Sequence, residues 1–206
     1  MKVLVINGSP HVHGCTATAL DEVIRTLNAE GIETELLQEG KEAIRGCTAC
    51  HYCESGNGCV FKDDLVNEAA KKFEEADGLL VGSPVYYGSP NGTLLSFLDR
   101  LFYSANFSKQ MKVGAAVVSC RRGGNTASFD VLNKYFTISG MPVASSQYWN
   151  MVYGRAPGEA AQDAEGMRTV RMLAENMSFL MKSIALGKEK YGLPAQEDRV
   201  FTNFIR

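Results

Sequence analysis

The chain has 206 residues, of which 45% are hydrophobic, and its formal charge is -2, from 21 lysines and arginines against 23 aspartates and glutamates. This length and composition predict one domain with a single large core. The slightly acidic balance and the lack of a basic cluster argue against nucleic acid and anionic membrane surfaces as partners. The sequence shows no signal-peptide core and no apolar run of membrane length, so we expect a cytoplasmic protein.

The first 27 residues have the pattern of a strand, a polar loop and a helix. Residues 3–6 are an apolar run rich in β-branched side chains, which predicts a strand buried on both faces. Residues 7–18 are mostly polar or small, and the apolar residues within 20–27 recur at helical spacing. A loop in this position presents unpaired backbone N–H groups and the positive end of a helix, so it predicts an anion site, most often for phosphate.

The residues of this loop indicate which class of phosphate-containing ligand it would bind. It contains neither the G-x-x-x-x-G-K-[ST] pattern of P-loop NTPases nor the G-x-G-x-x-G pattern of dinucleotide-binding folds. The hydroxyls of Ser9, Thr16 and Thr18 instead suit a terminal phosphate monoester. The alternative interpretation is that all three are ordinary turn and helix-cap residues.

Further strands and helices alternate along the rest of the chain. Strands are predicted at 32–37, 78–82, 113–119 and, beginning with a Met-Pro-Val-Ala run, 141–144. Helices are predicted from Asp63, around 94–105, at 127–139 and at 163–183. Five strands that alternate with helices predict a parallel sheet with helices on both faces, whose ligand lies at the carboxyl ends of the strands.

Three loops should meet at that edge of the sheet, at 9–18, 83–91 and 119–126. The second holds Tyr86 and Tyr87 between prolines and glycines, and the third holds Arg121 and Arg122. A planar aromatic ligand with a phosphate tail would suit all three loops. The alternatives are a half-buried tyrosine pair at a turn and arginines that are only solvated.

Four of the six cysteines form a separate cluster with the spacing C-x2-C-x2-C-x5-C, at Cys47, Cys50, Cys53 and Cys59. In a reducing compartment, such cysteines indicate metal, cluster or redox groups more than disulfides. The literal C-x-x-C-H haem signal ending at His51 is rejected, because haem attachment normally accompanies export and would leave two cysteines unexplained. Zinc usually takes two well-separated pairs, whereas successive C-x2-C steps favour a [4Fe-4S] cluster. The alternative is four thiols that bind no metal.

Taken together, the motifs resemble those of the flavodoxin-like NAD(P)H-dependent FMN reductase superfamily and, within it, those of the iron-sulfur flavoproteins most closely. The matching residues are Gly8-Ser9-Pro10 with Gly14 and Thr16, the cysteine spacing followed by Asp63-Asp64, Ala76-Asp77-Gly78, Ser83-Pro84-Val85-Tyr86, Phe97-Leu98-Asp99-Arg100, and Gly123-Gly124. The resemblance implies an α/β flavodoxin-like three-layer sandwich, with a five-stranded parallel sheet in the order 2-1-3-4-5 and noncovalently bound FMN.

The resemblance also implies the residues of the FMN site and of the cluster. Family members often have arginine where His11 stands, so the charge beside the phosphate would differ here. The flavin N5 would perform the chemistry, so no side chain is expected to be a catalytic acid or base. Ser9, His11, Cys15, Thr16 and Ala17 would surround the phosphate; Pro84, Val85, Tyr86, Tyr87 and Gly88 would border the ring; Ser119, Arg121, Gly123 and Gly124 would cover its other edge; and Cys47, Cys50, Cys53 and Cys59 would hold the possible [4Fe-4S] cluster.

The expected activity follows from the same resemblance. FMN would take a hydride from NADH or NADPH and pass electrons to a small-molecule or protein acceptor. Two alternatives are a noncatalytic iron-sulfur flavoprotein that carries electrons between protein partners and a zinc-bearing regulatory module. We expect residues 1–186 to form the FMN domain with a cysteine-rich insertion at 45–62, residues 187–206 to form a charged tail, and the protein to be a homodimer or homotetramer.

Overall fold

The computed structural model describes residues 1–41, 43–198 and 200–204. In these residues a central sheet lies between two layers of α-helices. The strands are β1 (Lys2–Asn7), β2 (Glu33–Gln38), β3 (Gly78–Tyr86), β4 (Ser89–Pro90), β5 (Val113–Cys120) and β6 (Met151–Tyr153). The α-helices are α1 (Cys15–Ala29), α2 (Val66–Glu75), α3 (Gly92–Ser104), α4 (Asn125–Ile138) and α5 (Ala164–Tyr191), and short 3-10 helices cover Tyr52–Ser55 and Ala160–Gln162.

The sheet has the order β2-β1-β3-β5-β6, and each neighbouring pair in it is parallel. The short β4 pairs with β3 antiparallel and lies off this path. Counted over the parallel strands alone, the order is 2-1-3-4-5. The predicted flavodoxin-like sandwich and its strand order are therefore confirmed.

The core lies on both faces of the sheet because successive residues of a strand point to opposite sides. Leu4 and Ile6 of β1 belong to a fully buried cluster that also includes residues of α2, α3 and α4. Val3 and Val5 belong to a second cluster, with residues of α1 and α5. This double burial explains why the sequence of β1 is continuously apolar rather than alternating.

The last parallel strand is not where the sequence predicted it. The run at 141–144 makes only one isolated bridge, between Val143 and Gly114, and the edge strand is β6, at Met151–Tyr153. Pro142 has no N–H to donate, and its carbonyl accepts from the Gly114 N–H at 2.8 Å. The polar segment that follows leaves the sheet, so pairing resumes only near Asn150, whose carbonyl accepts from the Val118 N–H.

Helix α5 is longer than predicted and ends at Tyr191 rather than near residue 183. Gly187 lies inside it, and Gly192, at φ 74°, follows its last residue, as is typical of a helix end. The division at residue 186 remains a prediction, and Arg199, Ile205 and Arg206 of the expected tail lie outside the described residues. No helix in the described part of the chain is both long and apolar enough to cross a membrane.

Candidate functional site

The loop after β1 is held in place by side-chain amides from three elements. The Ser9 N–H donates to Asn7 Oδ1 at 3.0 Å, and Gln38 Nε2 of β2 donates to the Ser9 carbonyl at 2.6 Å. Asn91, which caps α3, donates to the Gly8 carbonyl at 2.7 Å. Sequence analysis missed these three amides, although an asparagine at the end of a strand and another before a helix were available signals.

A close backbone contact fixes the same loop from the side of β2. A Cβ atom on Gly40 would lie 2.2 Å from the Ser9 carbonyl carbon and 2.3 Å from its oxygen. Both contacts are to backbone, which cannot move aside as a flexible side chain can. Only glycine fits at residue 40 while the loop keeps this path.

The amino end of α1 opens towards the cleft beyond this loop. Gly14 precedes the helix and offers no side-chain cap, so the first N–H groups of the helix have no partner within it. Thr16 Oγ1 and Ser119 Oγ are 2.7 Å apart and buried, which joins α1 to the end of β5. The Thr18 hydroxyl, by contrast, donates to the Gly14 carbonyl of its own helix. Of the three predicted phosphate hydroxyls, Ser9 and Thr16 line the cleft and Thr18 does not.

The exit of β3 forms a tight hairpin at the rim. Tyr86 pairs with Ser89, and the two residues between them, Tyr87 and Gly88, have φ of 51° and 76°, as in a two-residue type I′ turn. A positive φ is uncommon for tyrosine, and the Tyr87 side chain is fully exposed. A Cβ on Gly124 would lie 2.6 Å from Gly88 Cα, so the loop after β5 packs directly on this hairpin.

These loops enclose a cleft of about 310 Å³ at the carboxyl edge of the sheet. Its size is at the lower end of the range for small-molecule sites. Burial raises the pKa of the Cys120 thiol in its wall, which keeps that group neutral. Ala17, Tyr87, Gly88, Gly123 and Gly124 were predicted in the site but do not line the cleft. The predicted residues that do line it are Ser9, His11, Cys15, Thr16, Pro84, Val85, Tyr86, Ser119 and Arg121.

A fourth loop, at residues 154–157, completes the cleft and was missed because the edge strand before it was placed too early. The Cys15 thiol donates to the Ala156 carbonyl at 3.3 Å, and a Cβ on Gly154 would lie 2.7 Å from Cys15 Sγ. Glu159 Oε2 accepts from the N–H groups of Arg155 and Ala156, and these bonds lower the pKa of Glu159. Arg155 of this loop also lines the cleft, so the wall carries the permanent cations Arg121 and Arg155.

The four clustered cysteines line a smaller cavity, of about 20 Å³, which shares no lining residue with the cleft. Cys53 and Cys59 are buried, whereas Cys47 and Cys50 are exposed. Burial raises the pKa of Cys53. Among the described residues, no three His, Cys, Asp or Glu side chains are placed to hold one metal ion. Each thiolate of a [4Fe-4S] cluster binds a different iron atom, so cluster ligands are spaced more widely than the ligands of one ion.

The buried pair of cysteines is held by side chains from the helices. Asn67 of α2 accepts from the Cys59 N–H at 2.9 Å and donates to the carbonyls of Cys59 and Phe61. Asn106, just after α3, donates to the Cys53 carbonyl at 3.0 Å. These bonds fix the backbone at both buried cysteines.

Arg100 of α3 binds both ends of the cysteine-rich segment. Its Nε and one Nη each donate to Cys59 Sγ at 3.2 Å, and both Nη atoms donate to the Asp64 carboxylate. The remaining N–H donates to the Arg45 carbonyl at 3.3 Å. The Phe61 ring centroid lies 5.0 Å from the guanidinium carbon. Arg100 is fully buried, and all five of its N–H donors have a partner.

Comparison with protein families matches residues 1–156 to the model described as NADPH-dependent FMN reductase. An iron-sulfur flavoprotein of Methanocaldococcus jannaschii is 33% identical over 192 residues, which cover 89% of this chain and 99% of that protein. Relatives with this name therefore extend across the cysteine-rich segment as well as the sheet.

Two solved structures show the same fold at low sequence identity. The NAD(P)H:quinone oxidoreductase of Methanothermobacter marburgensis superposes with a TM-score of 0.67 at 15% identity, over 86% of this chain and 96% of that one. A flavodoxin from the domain Archaea gives a TM-score of 0.56 at 17% identity, over 86% of this chain and 99% of that one. At these identities the likeness establishes the flavodoxin-like fold.

Proposed function

Because the chain belongs to the NADPH-dependent FMN reductase family, we propose that it is an FMN-dependent oxidoreductase, which accepts a hydride from NADH or NADPH and passes electrons to a small-molecule or protein acceptor. One observation carries the proposal: four loops at the carboxyl edge of a flavodoxin-like sheet enclose a cleft beside an uncapped helix. That combination suits a phosphorylated planar ligand.

The FMN phosphate would bind at the amino end of α1. Gly14 and Thr16, at the start of this helix, line the cleft together with Ser9, and the first N–H groups of the helix have no partner within it. His11 and Cys15 line the same end. Hydroxyls and amides suit a phosphate monoester without a lysine, and the helix dipole adds further stabilisation.

The flavin ring would lie between the hairpin at the end of β3 and the loop after β5. Pro84, Val85 and Tyr86 provide apolar lining from the end of β3, and Arg121 lines the cleft from the loop after β5. The positive φ at Tyr87 and Gly88 turns their peptide at the rim, so backbone amides are available to bind the polar edge of the ring. When bound, FMN supplies the hydride and electron chemistry, and the protein orients the ring and excludes water.

We further propose that Cys47, Cys50, Cys53 and Cys59 hold a [4Fe-4S] cluster. The donor set fits this group, because four thiols line one cavity and a buried arginine binds one of them. Ala49 and His51, which lie between these cysteines, have φ of 50° and 59°, and such conformations turn a short segment sharply. The cavity has about the volume of one water, so a cluster requires its outer wall at Cys47 and Cys50 to open.

The proposal is tested on protein purified without oxygen. We expect FMN and about four irons per chain by chemical analysis, and prompt bleaching of the oxidised flavin when NADH or NADPH is added. Bleaching by dithionite but by neither nicotinamide would support the electron carrier instead. Protein that is colourless and does not bind added FMN would contradict the proposal.

We also propose a homodimer or homotetramer. Support comes from the exposed aromatic side chains near the edge strand, since Tyr148 and Trp149 are each about half exposed with ring centroids 5.0 Å apart. Large exposed aromatic residues are enriched at interfaces. Light scattering on FMN-loaded protein measures the state, and a monomer would contradict this part of the proposal.

A further inference from the structure

We propose that Arg100 and Ser104 are positioning residues for the cluster: Arg100 fixes Cys59 as a ligand, and both residues, by hydrogen bonds to sulfur, raise the reduction potential of the cluster. The inference rests on the iron-sulfur part of the proposed function. Both residues are on α3, four positions apart, so they lie on the same side of the helix.

The first step is the orientation of Cys59. Its backbone is held by Asn67, and its sulfur accepts two N–H bonds from Arg100 at 3.2 Å each. Arg100 is itself fixed by Asp64 and by the Arg45 carbonyl. The Cys59 sulfur is therefore preorganised on the cavity wall before any iron arrives.

The second step concerns charge. Asp64 pairs with Arg100 and is almost completely buried with it, so the pair as a whole adds little net charge. The N–H groups that point at Cys59 nevertheless act directly on its sulfur. A one-electron reduction makes the cluster and its thiolates more negative, and this strengthens each N–H bond to sulfur. The reduced form is thus stabilised more than the oxidised form, which raises the potential.

Ser104 supplies independent support. Its Oγ is buried and has no hydrogen-bond partner among the described residues, and the residue lines the same cavity as the four cysteines. A buried hydroxyl without a hydrogen-bond partner is unfavourable, so we expect Ser104 to gain a partner when the site is filled. A cluster sulfur or a ligating thiolate in this cavity would accept its hydrogen bond.

A purely structural role explains less of this geometry. An ion pair that only ties α3 to the segment requires Asp64 and the Arg45 carbonyl. It does not require two donors on Cys59 or a buried hydroxyl without a partner on a residue that lines the cysteine cavity. The two roles differ in one measurable property, the reduction potential.

The test uses full-length protein purified without oxygen, with the variants Ser104→Ala and Arg100→Lys and with Ser96→Ala as a matched control. Ser96 is also on α3 but does not line the cysteine cavity. Iron, sulfide and FMN are measured first, and then the cluster is reduced stepwise with dithionite and followed by electron paramagnetic resonance. Wild-type protein without iron and sulfide would contradict the cluster and this inference together.

We expect Ser104→Ala to keep its iron and to show a severalfold weaker preference for the reduced cluster. Arg100→Lys keeps the cation but cannot supply the planar set of donors. We therefore expect its preference for the reduced cluster to be about tenfold weaker, which lowers the reduction potential by about 59 mV for one electron. The flavin potential and the Ser96→Ala protein should match wild type. If Arg100→Lys loses its iron, the reduction potential of the Ser104→Ala protein tests the inference instead. Clusters at full occupancy with wild-type potentials would overturn this inference alone and leave the proposed function intact.

Discussion

The cleft at the carboxyl edge of the sheet and the cysteine-rich segment are built in different ways. Four loops that leave neighbouring parallel strands form the cleft, and close backbone contacts at Gly40 and Gly124 fix their paths. The cysteine segment is an irregular connection between β2 and α2, held mainly by Asn67, Arg100 and Asn106. We therefore expect the cleft to lose FMN affinity when its backbone is displaced, and the cysteine segment to lose iron when one supporting side chain is removed.

The largest effect on the cleft is expected from Gly40→Ala. The added methyl group would lie 2.2 Å from the Ser9 backbone and displace the loop that we propose binds the phosphate. Strain of about 2–3 kcal/mol corresponds to roughly a hundredfold weaker FMN binding, measured by titration of the flavin-free protein. Iron content should not change. Gly187→Ala, where a Cβ meets nothing within 4 Å, is the control, and equal FMN affinity in both variants would contradict the role of the backbone contact.

The reciprocal effect is expected from Asn67→Ala. This variant loses three hydrogen bonds to the cysteine segment, which should lower the free energy of unfolding by about 1–3 kcal/mol. We expect most of the iron to be lost during anaerobic purification while FMN binding is kept. Asn57→Ala is the matched control, because Asn57 is exposed and its side-chain amide donates to the neighbouring Ser55 hydroxyl rather than to a cysteine. Full iron content in Asn67→Ala would show that the segment does not depend on this side chain.

A smaller effect within the cleft separates two threonines of the same helix. Thr16→Val removes a hydroxyl that bonds with Ser119 on the cleft wall, so FMN should bind about tenfold more weakly. In Thr18→Val the lost hydroxyl had bonded to the Gly14 carbonyl, and the affinity should stay within about twofold. The same titration measures both, and the reverse order would mean that Thr18 binds the phosphate.

The smallest effect lies outside both regions, at Glu35 of β2. Bonds from Lys2 and Lys72 lower the pKa of Glu35 below its ordinary value of 4.5. The resulting stabilisation is present above 4.5 and is lost as the pH falls through the lowered pKa. Glu35→Gln should therefore reduce the free energy of unfolding at neutral pH by less than about 1 kcal/mol, with FMN and iron unchanged. Urea unfolding at neutral and acidic pH measures this, and a difference that grows in acid would contradict it.

The sequence by itself determined the layers and the parallel direction of the sheet. Continuous apolar runs such as residues 3–6 can only be buried between two layers of helices, and their alternation with helices predicts parallel strands, as the structure shows. The strand order came from the resemblance of the motifs to a known family, because alternation alone does not say which strands are neighbours. The spacing of Cys47, Cys50, Cys53 and Cys59 was equally visible, because those residues are neighbours along the chain. Local patterns of this kind do not depend on contacts between distant residues.

Only the tertiary structure decided which distant residues complete the two sites. The edge strand starts at Met151 because the chain leaves the sheet after a short contact with Gly114, and this shift brings Arg155 to the cleft. Arg100 is 41 residues from Cys59 along the chain, yet it donates two hydrogen bonds to its sulfur. Hydrophobic periodicity records which face of an element is buried, but it carries no information about which polar group lies opposite after folding.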